Sequence, residues 1–260
     1  MTLLGRKVDW LRGVVVPVCT PFNSDENVDE EALRRLVDFL IEKRVNCLFP
    51  LGGTSEFYRL SLEERKKVID VVIDQANGRI PVLPGAHTLS TKLSIELAKY
   101  AKDAGADAVI VLQPYFDPIS EDQLFKHYKD ICESVDIPVM LYAEQGVVNE
   151  LPLELISRLA DLDSVIGIKL STCDMCRFER GVELFGDKIA VLVGIEEMFV
   201  PGLVVGGVGG VIGNANFCPE YWVNMYDLFL KGDIKGALEI QKKFSRLTFN
   251  LISKYGYCLL

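Results

Sequence analysis

The sequence predicts an α/β fold, a (β/α)₈ TIM barrel with an additional C-terminal helix, and three observations carry that expectation. Eight short apolar runs alternate with amphipathic stretches along the whole chain. The runs start about every 28 residues, the scale of one βα unit. They read as near-continuous apolar segments, the pattern of parallel strands covered on both faces. A doubly wound open sheet is the alternative, and the missing early GxGxxG together with the count of eight argues against it.

In order, the runs are GVVVPVCTPF from Gly13, CLFPL from Cys47, IPVLPG from Ile80, DAVIVLQPY from Asp107, IPVMLYA from Ile137, SVIGIKL from Ser164, IAVLVG from Ile189 and GGVGGVIG from Gly206. Between them, DEEALRRLVDFLIEKR, SLEERKKVIDVVIDQA, STKLSIELAKYAKDAG and SEDQLFKHYKDICESV place apolar residues at helical spacing. Ser61 with Glu64, and Ser120 with Gln123, have the Ser-x-x-Glu/Gln spacing of a capping box. The barrel is expected over residues 13–231, followed by one long helix over residues 233–254. No linker interrupts the chain, so residues 1–260 read as one domain.

The chain has 260 residues, 49% of them hydrophobic and 25% charged, enough apolar surface for a large core and too much for a disordered segment. A net charge of −9 argues against nucleic acid or an anionic membrane as partner. No apolar run reaches the length of about 18 residues expected of a membrane helix, and the first residues, MTLLGRKVDWLRG, lack the apolar core of a signal peptide. The seven cysteines are odd in number and scattered, which predicts reduced thiols and a cytoplasmic setting. Cys173 and Cys176 form a CxxC without a second pair nearby, and read as ordinary thiols at a helix start. The two histidines are far apart in sequence, so no metal site is expected. His127 falls inside a helix and reads as a surface residue, whereas His87 follows the third run, where it can line a pocket mouth.

In such a barrel the working residues lie at the C-terminal ends of the strands and in the loops after them. Lys169 ends the sixth run. A lysine facing a barrel interior is desolvated, which lowers its pKa. An unperturbed lysine leaves only about one molecule in 10³ as free amine at neutral pH, so that lowering supplies a nucleophile for a ketone. Tyr142 ends the neighbouring fifth run, where a phenol can pass protons. The second run ends in Gly52-Gly53-Thr54-Ser55, whose glycines admit a ligand close to the backbone and whose hydroxyls and N–H groups can cradle a carboxylate. Each feature also has a plainer structural reading: a rim lysine, a core aromatic, a tight turn.

The stretches VVPVCTPF, LGGTSEFYRLSLEER, GADAVIVLQPYF, IPVMLY, VIGIKLS and GGVGGVIGNANFCPE occur in this order over nearly the whole chain. Together they resemble the dihydrodipicolinate synthase/N-acetylneuraminate lyase family of class I aldolases, and GGTSEF is similar to the ketodeoxyglucarate dehydratase branch. The resemblance implies a homodimer or homotetramer that needs no cofactor and takes a pyruvate-type 2-keto acid as its small-molecule substrate. It implies that Lys169 forms the imine and that Tyr142 relays protons. It places Gly53, Thr54 and Ser55 at the substrate carboxylate, and the carbonyl of Ile212 at the pocket border.

The departures from the family pattern are specific. Gly53 replaces the first hydroxyl of the family loop, and Ser55 replaces its last glycine. Phe116 follows Tyr115 where dihydrodipicolinate synthase has a second pocket tyrosine. Ala143-Glu144-Gln145-Gly146 stands where that enzyme carries an arginine for the aldehyde's carboxylate, and a glutamate there repels a second carboxylate. The relatives also carry further C-terminal helices. The expected activity is retro-aldol cleavage or dehydration of a 2-keto-3-deoxy sugar acid. A dihydrodipicolinate synthase-like condensation and a non-catalytic keto-acid-binding protein on a degenerated barrel are the alternatives.

Overall fold

A computed structural model describes residues 9–255; residues 1–8 and 256–260, which include most of the N-terminal stretch and Cys258, lie outside the described residues. Among the described residues, seven parallel strands form one curled sheet in the order β2-β1-β7-β6-β5-β4-β3. They are β1 (Gly13–Val16), β2 (Cys47–Leu48), β3 (Val109–Leu112), β4 (Val139–Glu144), β5 (Val165–Ser171), β6 (Ala190–Val193) and β7 (Gly209–Val211).

The third apolar run closes the ring without forming a strand of its own. Pro81 and Pro84 have no N–H to donate, so a continuous ladder cannot form there. Two isolated parallel bridges remain, Leu48 to Val82 and Gly85 to Ile110. Carbonyls of the run still accept from both sides: Pro81 from Leu48 N at 3.0 Å and Pro84 from Ile110 N at 3.0 Å. The run thus joins β2 to β3 as the remaining stave of the barrel. The eighth run is also shorter than its apolar stretch, because Gly206 at φ 108° turns the chain before β7 begins at Gly209.

Nine α-helices surround the sheet among the described residues: α1 (Glu30–Glu42), α2 (Leu62–Ala76), α3 (Thr91–Ala104), α4 (Glu121–Ser134), α5 (Leu153–Leu159), α6 (Met175–Phe185), α7 (Phe199–Val204), α8 (Pro219–Leu230) and α9 (Ile234–Tyr255). Both capping boxes are present, with Ser61 and Ser120 each exchanging hydrogen bonds with the residue at the third helical position. Asp29, Ser90 and Asp174 cap α1, α3 and α6 with side-chain oxygens. Each cap satisfies helix N–H groups that have no partner inside the helix.

The core runs through the barrel and between the sheet and its helices. Strands β1, β3, β5, β6 and β7 are buried along their whole length, as expected of parallel strands covered on both faces. Helix α9 packs across α8 through Trp222 and Phe244, whose ring centroids lie 5.3 Å apart. It also reaches the loops above the barrel. Gln241 accepts from Val200 N at 2.7 Å and donates to the carbonyl of Glu197, and Thr248 accepts from Asn214 Nδ2 at 3.1 Å.

His127 corrects the surface reading. It lies on the face of α4 that carries Leu124, Tyr128 and Ile131, and only 6% of it is exposed. Its Nδ1 pairs with Thr91 Oγ1 of α3 at 2.8 Å. A histidine has enough apolar ring to fill such a helix interface once one nitrogen is satisfied. Burial holds its pKa down to about 4.

Candidate active site

Strands β4 and β5 set the centre of the site. Their register pairs Tyr142 with Lys169 and Glu144 with Ser171. Side chains two residues apart on a strand share a face, so Tyr142 and Glu144 point to the side that Lys169 points to. The Lys169 ammonium group lies 3.9 Å from the centroid of the Tyr142 ring and 3.8 Å from Glu144 Oε2. Lys169 is 8% exposed and Tyr142 5%.

Burial lowers the pKa of Lys169 below the ordinary lysine value; the nearby charges of Glu144 and Glu196 act in the opposite sense. Burial also pushes the Tyr142 phenol well above its ordinary value, assisted by the nearby carboxylates of Glu144 and Glu196. The amine is thus drawn toward its neutral form while the phenol keeps its proton. A neutral amine can act as a nucleophile and a protonated phenol as a proton donor.

The loop after β2 rises over this pair. Leu51 and Glu56 adopt positive φ, 65° and 54°, and bracket a tight turn. A Cβ built on Gly53 would lie 3.7 Å from the Tyr142 hydroxyl, so the loop passes directly over the phenol. Thr54 is exposed beside it. Among the described residues, neither Gly53 nor Thr54 uses its backbone N–H in a hydrogen bond. These two donors and the Thr54 hydroxyl are available to an anion.

Ser55 departs from the expectation. Its hydroxyl donates to the Val18 carbonyl and accepts from Gly52 N at 3.0 Å, its own N–H donates to Gly52 O at 3.1 Å, and it is fully buried. The tight turn directs this side chain down into the barrel wall, where it holds the loop from beneath. Ile212 is buried at the end of β7; its N–H donates to Val15 O at 2.9 Å and its carbonyl accepts weakly from Ala215 N at 3.4 Å.

The structure adds a residue that the sequence reading passed over. Glu196 follows β6 and accepts from Gly213 N at 2.9 Å and Asn214 N at 3.3 Å. A Cβ on Gly213 would sit 3.2 Å from both Glu196 Oε1 and Thr54 Oγ1, so the loops after β2, β6 and β7 meet at this glycine. Burial raises the Glu196 pKa, while its backbone hydrogen bonds and the Lys169 charge oppose the rise. Its position just beyond the seventh apolar run was the available signal, since that is a strand's C-terminal end. Glu144 was visible in sequence as a substitution, but its contact with Lys169 was not.

His87 lies beneath the pocket floor rather than at its mouth. It is 1% exposed, its Nδ1 is 3.3 Å from Ile110 O, and its ring stands edge-on to Tyr142 at 6.2 Å. Burial lowers its pKa to about 3, so it stays neutral. Among the described residues no three His, Cys, Asp or Glu side chains stand close enough to share a metal ion, and no helix is long and apolar enough to cross a membrane.

Comparison with known proteins places this geometry. The model of the Dihydrodipicolinate synthetase family matches residues 10–260. A 4-hydroxy-tetrahydrodipicolinate synthase of Pelobacter propionicus is 39% identical over 228 residues, 87% of this chain and 78% of that protein. An uncharacterized DapA-like lyase of Pyrococcus horikoshii is 37% identical over 241 residues, 92% of this chain and 83% of the other. The crystal structure of YagE from E. coli K12, a prophage protein of the dihydrodipicolinic acid synthase family in complex with pyruvate, superposes with a TM-score of 0.90 at 31% identity, covering 92% of this chain and 82% of that one. By its matched fold and by the family match over nearly its whole length, the chain belongs to the dihydrodipicolinate synthetase family and is a class I aldolase or lyase of that family.

Proposed function

We propose that this protein cleaves or dehydrates a 2-keto-3-deoxy sugar acid through an imine on Lys169, and that the part of the substrate remote from the keto acid carries no negative charge. The observation that supports this most is the buried Lys169 amine, set against Tyr142 and facing two carboxylates.

In this reading the substrate carboxylate sits on the free N–H groups of Gly53 and Thr54 and the Thr54 hydroxyl, with the carbonyl of Ile212 at the border. Holding the carboxylate there aligns the keto carbon with Lys169 and removes the entropic cost of a free encounter. The lysine nitrogen attacks, the carbonyl oxygen leaves as water, and the protonated imine draws electrons from the adjacent carbon. Retro-aldol cleavage or loss of a hydroxyl follows, with Tyr142 donating and accepting protons. The pyruvate bound in the related YagE structure supports the choice of keto acid.

Several relatives are named 4-hydroxy-tetrahydrodipicolinate synthase. Glu144 argues against that condensation here. A second carboxylate brought to about 4 Å from the Glu144 carboxylate meets a repulsion of about 4 kcal/mol in a partly screened site, and no arginine takes the place of the lost partner in the 143–146 stretch. The Arg177 guanidinium, on α6, donates to Leu151 O at 2.6 Å.

A panel of 2-keto-3-deoxy acids, scored for pyruvate or water release, tests the reading. Acids with an uncharged polyol tail are expected to turn over with kcat/KM at least about 10²-fold above those ending in carboxylate or phosphate, the factor set by a few kcal/mol. Preference for a carboxylate-tailed substrate, or faster use of pyruvate with a carboxylate-bearing aldehyde, would overturn it.

A further inference from the structure

Imine formation has a proton to move before it can start, and the pocket offers few groups to move it. Gly53 contributes no hydroxyl at the place facing the Tyr142 phenol, where a Cβ would be 3.7 Å away. Ser55, the next hydroxyl after Thr54 in the loop, is committed to Val18 and Gly52. The ring of His87 is neutral and buried under Tyr142. Glu196 is held by two backbone N–H groups, those of Gly213 and Asn214 in the loop after β7.

Glu144 is placed differently. It is two residues beyond Tyr142 on the same strand face, interacts with the phenol, and stands 3.8 Å from Lys169 Nζ. A shift of about 1 Å in this partly exposed side chain brings it into hydrogen-bond range of the amine. Its backbone does not share that freedom. The fully buried amide of Gln113 clamps it, donating to Glu144 O at 2.9 Å and accepting from Glu144 N at 3.2 Å. Glu144 also borders a cavity of about 10 Å³ with Ser171, Glu150 and Arg177, where Glu150 accepts from Gly146 N at 2.8 Å and Arg177 is bound to Leu151 O. The titratable groups around the Glu144 carboxylate are therefore Lys169, Tyr142, Glu150 and Arg177.

We propose that Glu144 is the proton carrier of imine formation, taking the surplus proton of the Lys169 ammonium and returning it, through the Tyr142 hydroxyl, to the oxygen that leaves. The proposal rests on the Schiff-base reading above. The ammonium gives one proton to the Glu144 carboxylate, leaving a neutral amine and a carboxylic acid. The amine lone pair forms the C–N bond, and the nitrogen's second proton passes to the former carbonyl oxygen to give the carbinolamine. The C–O bond then breaks as Tyr142 delivers a proton to that hydroxyl and is reprotonated by Glu144. The sum is an ammonium and a ketone converted to a protonated imine and water, with carboxylate and phenol restored. The relay through a carboxylate takes the place of the hydroxyl that Gly53 lacks.

A passive counter-ion and a proton carrier make opposite demands on Glu144→Gln. The carboxylate's charge raises the Lys169 pKa. If that were its whole role, removing the charge would release more free amine and speed trapping of pyruvate at neutral pH. As a proton carrier its loss slows trapping, by at least about 10²-fold. The experiment mixes wild type, Glu144→Gln, Glu144→Asp and Lys169→Ala with pyruvate and cyanoborohydride at pH 7 and follows the mass of the adduct against time, with circular dichroism confirming the fold. Slow trapping by Glu144→Gln, with most of the rate recovered in Glu144→Asp, is the expected result. Trapping by folded Glu144→Gln as fast as wild type, or faster, overturns the proposal. If the glutamine variant does not fold, a folded Glu144→Ala variant, which also lacks the carboxylate, decides: a slowed rate that keeps wild-type pyruvate affinity supports the carrier, and a rate as fast as wild type or faster overturns it. Failure of the wild type itself to form an adduct would instead remove the Schiff-base reading on which this rests.

Discussion

Lys169 and His87 are both buried titratable groups, and their different neighbours give them different fates. Lys169 has two carboxylates to face, whose charges oppose the lowering of its pKa by burial. His87 has a backbone carbonyl on one nitrogen and no partner on the other, and stays neutral. That neutrality has a stability consequence. The folded-state pKa of His87 is lowered from 6.5 to about 3, so on acidification the unfolded chain takes the proton first. The contribution is complete above pH 6.5 and is lost progressively as pH falls from there toward the folded value. Urea unfolding is expected to show that His87→Gln abolishes about 1.4 kcal/mol of the stability lost by the wild type between pH 7.5 and 5.5. Equal losses in the two proteins would show that His87 is not buried neutral. At this scale the sequence was legible where strand position alone decides orientation, as for Lys169 and Tyr142. It was opaque where a turn decides it: Ser55 and Thr54 are adjacent and chemically alike, yet one hydroxyl is buried beneath the loop and the other exposed. It was equally opaque for His127, whose burial depends on the helix packed beside it.

Elements explain how these side chains are held. The short strands β1 and β7 lie so close that a Cβ on Gly209 would come within 2.3 Å of Gly13 O and 2.4 Å of Gly13 N. Backbone of a paired strand cannot yield as a flexible side chain can. Gly209→Ala is therefore expected to destabilise the fold by about 1–3 kcal/mol or more in chemical denaturation, whereas Gly53→Ala, whose Cβ meets only the Tyr142 hydroxyl at an ordinary 3.7 Å, leaves stability within about 0.5 kcal/mol of wild type. A tolerated alanine at 209 would contradict the observed register. The glycines of the eighth run are visible in the sequence, but which of them touches a neighbouring strand is not. The third run shows the converse. Its apolar pattern marked a stave of the barrel, and the two prolines that reduce it to isolated bridges were readable as well, given that a proline cannot donate. Helix α9 was legible by its periodicity alone, while its role in bracing Glu197 and Asn214, next to and in contact with Glu196, needs the tertiary arrangement.

Taken as a molecule, the chain converges its loops on one end of the barrel. The loop after β2 supplies anion donors, β4 and β5 supply the phenol, the carboxylate and the amine, and the loops after β6 and β7 supply a second carboxylate and a glycine-lined wall. In the proposed reading the negative lining suits a keto acid whose remaining length is uncharged, because the free N–H groups of Gly53 and Thr54 are taken by the keto acid's own carboxylate. The periodic alternation of apolar runs and helices made this architecture readable in advance; the charge balance inside the mouth was not, since it depends on which acids face inward. The proposed chemistry requires the amine at position 169 to be the nucleophile. Incubating the folded protein with pyruvate and borohydride, then locating the added mass by peptide mass spectrometry, tests it most directly. A single stable adduct on Lys169, absent from Lys169→Ala, is the result the account requires. A folded protein that gains no mass, or gains it on another lysine, contradicts it.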